Sequence, residues 1–245
     1  MSDNTPKIYA ATNSGILCHI STHKTILDIG CGSGYLSEQI KKKGNTVYGI
    51  DYTKEAVEVA VRRIDYAALC DIEKEDIPWN KKFDVILFAD ILEHLYNPKN
   101  VIERSTKFLK KDGVLIISLP NIANWSIRSQ LFFGNFTRTE TGILDKTHIH
   151  FYTLKTAKGL LEDAGLIIER IDVTPNFFMT PTRYFLHLIG KDPKIHDYEK
   201  ILQSSFYHVY LLFVQPLELF FTRIWKSLFA YQFVFVCRPK NTSQI

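Results

Sequence analysis

Thr25-Ile26-Leu27-Asp28-Ile29-Gly30-Cys31-Gly32-Ser33-Gly34 is a short apolar run carrying one acid, Asp28, that opens into three alternating glycines. Glycines at this spacing turn the backbone tightly and let a ligand approach the main chain where a Cβ would collide. Tyr35 to Lys43 then reads as a helix. The stretch therefore predicts a strand, a ligand loop and a helix N-terminus that receives the anionic end of a ligand.

A dinucleotide loop of the form Gly-x-Gly-x-x-Gly needs its third glycine at position 35, where this chain has Tyr35, so the spacing argues against NAD. The segment instead resembles motif I of the class I S-adenosylmethionine-dependent methyltransferases, an apolar strand and an acid followed by Gly-x-Gly-x-Gly. Leu27 to Gly34 match it without a gap. The resemblance implies S-adenosylmethionine as cofactor and S-adenosylhomocysteine as product. It implies Asp28, Gly30 and Gly32 at the methionine end, with Cys31 and Gly34 in the same binding loop.

Val47-Tyr48-Gly49-Ile50-Asp51 reads as a second strand. It ends in an acid about twenty residues past the loop, from which a carboxylate accepts both ribose hydroxyls. Asp51 is the ribose candidate, and Tyr52 either packs on the adenine edge or is a plain turn residue. Ala67 to Leu69 reads as a third strand. After it the resemblance implies Asp71 for the adenine amino group and Ile72 for the ring, although Asp71 also reads as a turn residue. Phe83 to Asp90 is nearly continuously apolar, as in a parallel sheet covered on both faces. It runs into Ile91-Leu92-Glu93-His94-Leu95, which is similar to motif IV of the ubiquinone-type O-methyltransferases. Asp90 and Glu93 are expected to line the pocket near the sulfonium, where negative potential suits a cation. Asn97 caps the next helix, Pro98 suits its first turn, and Asp112-Gly113 is expected to close it before a strand from Val114 to Leu119.

Strands alternating with helices predict an α/β fold with a doubly wound sheet. Leu166 to Val173 and Tyr231 to Cys237 read as the last two strands. In the resembled family these form an antiparallel edge hairpin, which makes seven strands in the order 3-2-1-4-5-7-6. Residues 175–230 interrupt that hairpin, far more chain than a hairpin loop needs. The expectation is one methyltransferase domain over residues 1–245 with a helical, aromatic insertion that acts as lid, dimer surface or membrane-facing element. Within it, Arg183 to Ile189 is expected to form a helix ending at Gly190, and two further helices to meet at Pro216. Phe206 to Val214 is apolar, but Gln215, Pro216 and Glu218 break it before a membrane-spanning length. Arg223, Trp225 and Lys226 are the expected contacts to a membrane or lipid-linked substrate.

The chain leaves the fifth strand at the sheet's carboxyl edge, where open α/β folds place ligands. Asn121, Trp125 and Arg128 are substrate candidates there, although their spacing also suits ordinary helix packing. Asp145-Lys146-Thr147-His148-Ile149-His150-Phe151-Tyr152, if extended, puts His148 and His150 on one face, and Tyr152 joins the substrate candidates. Methyl transfer to an aliphatic hydroxyl requires removal of a proton of high pKa, for which a neutral imidazole is the usual base. His94 and His148 are the first candidates for that base and His150 the third, against scaffold roles for each. His-x-His beside Asp145 has metal-ligand character, but spacing sets no third ligand and no metal is expected.

With 245 residues and a formal charge of +4, the chain shows no nucleic-acid footprint. Lys41-Lys42-Lys43 reads as a solvated helix end. Cys18, Cys31, Cys70 and Cys237 form no Cys-x-x-Cys pair, which suits a reducing cytosol, and Met1 to Lys7 lacks the apolar core of a signal peptide. The expectation is a cytoplasmic enzyme, peripherally associated with the inner face of the membrane, that methylates a small molecule or a sugar, lipid-linked or free, alone or as a homodimer. The sugar enters through a resemblance: bacterial surface-polysaccharide methyltransferases share a similar Thr-His-x-His-Phe-Tyr-Thr segment. An N-methyltransferase and a non-catalytic S-adenosylmethionine-binding partner of an assembly enzyme remain the alternatives.

Overall fold

The computed structural model describes residues 14–175, 212 and 215–240. A short helix α1 (Ser14–Leu17) precedes β1 (Thr25–Ile29), α2 (Tyr35–Lys42), β2 (Thr46–Asp51), α3 (Lys54–Ala60) and β3 (Tyr66–Leu69). Next come β4 (Phe83–Ala89), a 3-10 turn at Leu92–His94, α4 (Pro98–Thr106), β5 (Leu109–Pro120) and α5 (Trp125–Phe132). The described chain ends with α6 (Leu154–Asp163), β6 (Leu166–Pro175), α7 (Gln215–Ile224), α8 (Lys226–Phe229) and β7 (Ala230–Pro239). The strands form one sheet in the order β3-β2-β1-β4-β5-β7-β6. β1 to β5 pair in parallel and β7 runs antiparallel to both β5 and β6, as expected.

The sheet is buried on both faces, which is why its central strands read as unbroken apolar runs. Side chains alternate along a strand. Ile26, Val47, Leu87, Ile116 and Val234 accordingly fall in one core layer, and Leu27, Ile29, Phe88, Ile117, Phe233 and Phe235 in the other.

One boundary is corrected. α4 starts at Pro98 with the Asn97 side chain accepting from Asn100 N–H, as expected, but it ends at Thr106, and Asp112-Gly113 lies inside β5. The pairing with β4 shifts register between Phe83 and Val85. At Gly113 a Cβ would sit 3.0 Å from the Phe83 carbonyl oxygen. The Asp-Gly pair therefore serves a strand irregularity rather than a helix stop.

Of the insertion, Arg183 to Gly190 and all of Phe206 to Val214 except Leu212 lie outside the described residues. Pro216 sits in the first turn of α7, the helix expected before it lies outside the described residues apart from Leu212, and α7 gives way to α8 at Trp225. α7 buries Glu218 and Thr222 while exposing Leu217, Phe220, Phe221 and Ile224. Lys226 Nζ donates to the Ile171 carbonyl of β6 at 3.0 Å. No helix among the described residues is long and apolar enough to cross a membrane.

Candidate active site

The loops after β1, β2, β4 and β5 converge at the carboxyl edge of the sheet. Gly30, Gly32 and Gly34 all take positive φ, 76°, 52° and 77°. A Cβ on Gly30 would meet the Ile91 side chain at 2.7 Å, so this glycine lets the β1 and β4 loops pack together. A Cβ on Gly32 would meet nothing within 4 Å, so here the chain is held open toward the cleft. Gly32 N–H donates to Asp51 Oδ2 at 2.8 Å, and Thr53 N–H to Asp51 Oδ1 at 2.8 Å. Two backbone donors thus lock the carboxylate at the end of β2. Gly34 begins α2 with no side-chain cap, leaving the first-turn amides of the helix open to a ligand.

Asp28 lies beneath the loop, 2 % exposed. Ser37 Oγ donates to its Oδ2 at 2.6 Å, and Oδ1 is buried without a partner. Loss of hydration, reinforced by the Asp51 charge and opposed by Ser37, raises its pKa to about 7. Cys31 is half-buried, with its thiol pushed up by burial.

The expected adenine residues are spread out. Tyr52 is 74 % exposed. Asp71 is half-buried and pairs with Lys74 Nζ at 2.7 Å while accepting from Glu73 N–H. The Lys74 hydrogen bond holds its carboxyl below the usual range. Ile72 packs in the main core.

Asp90, at the end of β4, has φ 52° and opens onto the cleft. Its Oδ1 accepts from Ser118 Oγ at 2.9 Å and from Gln232 Nε2. Lost hydration around the carboxyl raises its pKa, opposed by these two donors. Glu93 departs from expectation. It is fully buried, both carboxylate oxygens lack hydrogen-bond partners, and loss of hydration holds its carboxyl well above the usual range. A carboxyl so placed lies in the core beneath the cleft rather than on its wall, and burial disfavours its charged form.

Glu93 also organises the histidine segment, since its carbonyl accepts from Ile149 N–H at 2.9 Å and His150 N–H at 3.0 Å. His148, 7 % exposed, stacks edge-on against His94 with ring centroids 4.7 Å apart. A carbonyl beside each Nδ1 sets the tautomers: Thr147 O lies 3.2 Å from His94 Nδ1 and Ile143 O 3.1 Å from His148 Nδ1. In the neutral ring, therefore, Nδ1 carries the proton and Nε2 the lone pair. His148 Nε2 lies 3.9 Å from Glu93 Oε1, and burial lowers the His148 pKa. Glu93, His94 and His148 offer ligand atoms within 4.8 Å of one another, a donor set able to hold a divalent ion. The pair imagined from spacing does not form such a set, because Asp145 Oδ1 is taken by the N–H and hydroxyl of Thr147. His150 is half-buried, its Nε2 lacks a partner, and its ring lies 6.1 Å from that of Tyr152. Tyr152 is buried, with burial pushing its hydroxyl up to about 12.

Asn121 is corrected from substrate contact to scaffold. It is fully buried, its amide donates to Ser227 O at 3.1 Å and Ala230 O at 2.8 Å, and its oxygen accepts from Ala123 N–H. Trp125 is half-buried at the start of α5. Arg128 is exposed and donates to Ala123 O at 2.7 Å. Sequence reading missed Ser37, Ser118, Gln232 and Arg138; Arg138 clamps the histidine segment by donating to the Asp145 and His148 carbonyls at 2.7 and 2.6 Å. The available signal was polarity: Ser118 and Gln232 each interrupt an otherwise apolar strand.

The methyltransferase-domain family matches residues 20–164, which include every strand from β1 to β5 and the histidine segment. The chain belongs to the class I S-adenosylmethionine-dependent methyltransferases. This methyltransferase is 41 % identical over 108 residues to the ubiquinone biosynthesis O-methyltransferase of Actinobacillus pleuropneumoniae serotype 5b (strain L20), covering 40 % of this chain and 46 % of that protein. It thus spans about half the length of the curated relatives it matches. Its fold is that of the S-adenosylmethionine-dependent methyltransferase of Mesorhizobium loti, with TM-score 0.57 and 15 % identity over 94 % of this chain and 98 % of the other. It is also similar to the magnesium protoporphyrin IX methyltransferase of Synechocystis PCC 6803 with bound SAH, with TM-score 0.51 and 19 % identity over 67 % and 76 % of the two chains. The residues present fit the family's cofactor: Gly32 leaves the approach to the backbone open, Asp51 is fixed at the end of β2 beside the glycine loop, and Asp28 Oδ1 is an unsatisfied acceptor below the loop.

Proposed function

We propose that this methyltransferase moves a methyl group from S-adenosylmethionine to an oxygen of a small molecule, with His94 as general base. S-adenosylmethionine, when bound, supplies an electrophilic methyl on a sulfonium. The observation that carries the proposal is the His94 ring, oriented by Thr147 O through Nδ1 and keeping the Nε2 lone pair for a hydroxyl proton. His148, more deeply buried, backs that ring and keeps it in place. Asp51 and the Gly30–Gly34 loop hold the nucleoside and methionine ends, with Asp71 and Ile72 toward adenine and Asp90 nearest the sulfonium. Positioning the acceptor at near-attack distance, about 3 to 3.5 Å, in a cleft closed to water carries most of the rate.

The named relatives support an oxygen acceptor, since they are O-methyltransferases. The acceptor is a small molecule, and a lipid-linked one suits the outward apolar stripe of α7. Sugar hydroxyls belong in the same screen. The whole chain acts as one unit, with the insertion closing the cleft. Its free cysteines suit a reducing cytoplasm, with contact to the inner membrane face through α7.

Separate replacement tests the base. His94→Ala is expected to lower kcat at least about a hundredfold while S-adenosylhomocysteine affinity stays within about twofold, and His148→Ala to lower kcat less. Activity unchanged in His94→Ala would refute an imidazole base there and favour an amine acceptor.

A further inference from the structure

Asp90 is one of two non-glycine residues with positive φ among the described residues, and the one at the cleft. An L-residue persists in that conformation only where its surroundings over-determine it. Ser118 supplies part of the restraint: Asp90 N–H donates to Ser118 Oγ at 3.1 Å, and Ser118 Oγ donates back to Asp90 Oδ1 at 2.9 Å. The rest comes from the far end of the chain. Gln232, 6 % exposed and followed in β7 by buried Phe233, Val234 and Phe235, donates from Nε2 to the same Oδ1. Thr174 Oγ1 donates to Gln232 Oε1 at 3.2 Å, which fixes the amide so that its nitrogen, and not its oxygen, faces the carboxylate. With Oδ1 held by two donors, Oδ2 is left to the cleft.

We infer that Gln232 is a positioning residue for the cofactor site, aiming the Asp90 carboxylate through a relay that runs from Thr174 through Gln232 to Asp90. The relay has a topological consequence. Thr174 immediately precedes the insertion and Gln232 closely follows it, and the two are paired across β6 and β7. The strand positions on either side of the insertion therefore meet at the group that bounds the cleft. The inference rests on the proposed role of Asp90 in holding the cofactor.

Calorimetric binding of S-adenosylhomocysteine to the full chain tests it, in a cycle of wild type, Gln232→Met, Asp90→Asn and the double variant. Methionine keeps the length of glutamine and removes its hydrogen bonds. Gln232→Met is expected to weaken binding about tenfold in the wild-type background and less than about twofold in the Asp90→Asn background, with the unfolding midpoint within a few degrees of wild type. Thr174→Val, which removes only the hydroxyl that orients the amide, is expected to show the same dependence on Asp90 at smaller size and serves if Gln232→Met does not fold. Equal losses in both backgrounds, or unchanged affinity in Gln232→Met, would overturn the inference alone. Unchanged affinity in Asp90→Asn would overturn the reading of the site, and the inference with it.

Discussion

Gly30 and Gly32 share a motif and a backbone conformation, yet their surroundings give them different work. Alanine at Gly30 would drive a Cβ into Ile91, so Gly30→Ala is expected to cost about 1–3 kcal/mol of stability by overpacking. Alanine at Gly32 meets open space and pays only the left-handed backbone penalty of about 1–2 kcal/mol, but it intrudes where the cofactor approaches. Gly32→Ala is therefore expected to lose at least about tenfold in S-adenosylhomocysteine affinity, and thermal unfolding with calorimetry separates the two effects. Asp28 permits a second prediction at this scale. Its folded pKa of about 7 exceeds the value of about 3.9 for an unfolded aspartate, so the folded state holds more protons between those limits. Its contribution to stability is fully present below pH about 4, is lost as pH rises toward 7, and is flat beyond. Asp28→Asn, which can still accept from Ser37, should lack that slope, and unfolding midpoints from pH 4 to 8 would reveal it. A midpoint that falls equally in both proteins would show that Asp28 does not titrate there.

Most elements could be read from short-range pattern alone. β1, β2 and β4 follow from their apolar runs, and the start of α4 from its Asn97 cap. The misread boundary at Asp112-Gly113 had a local cause: Asp-Gly signals a helix stop, whereas here tertiary pairing recruits it into β5. α7 shows the same limit. Its polarity pattern marks an amphipathic helix, but which side faces inward was decided by packing, which buried Glu218 and Thr222 and turned Leu217, Phe220, Phe221 and Ile224 outward. If that stripe meets a membrane, Phe220→Ser with Phe221→Ser should change stability by less than about 0.5 kcal/mol and reduce sedimentation with anionic vesicles. Undiminished sedimentation would place the contact elsewhere.

At the scale of the whole molecule, the cofactor site is made by loops brought to one edge of a sheet, so ligand binding and folding are linked. S-adenosylhomocysteine at a hundred times its Kd should stabilise the chain by about 2.7 kcal/mol. That corresponds to a rise of roughly 5–10 °C in Tm for a chain of this size. NAD at the same concentration should leave Tm unchanged, because Tyr35 stands where the dinucleotide loop requires glycine. The order of strands was legible only through the resemblance of Leu27–Gly34 and Glu93-His94 to a family. What the chain determined by itself were features contained within a few residues: the glycine loop, the acid at Asp51, the caps and the strand periods, all set by backbone sterics and side-chain alternation. What tertiary structure alone decided was which polar groups are free. Asn121 is spent on Ala230, 109 residues away, and Asp90 is held by Gln232, 142 residues away, while Glu93 is stripped of water, which pushes its carboxyl pKa up. Hydration and hydrogen-bond partners are properties of the packed volume around a residue, and strands distant in sequence fill that volume.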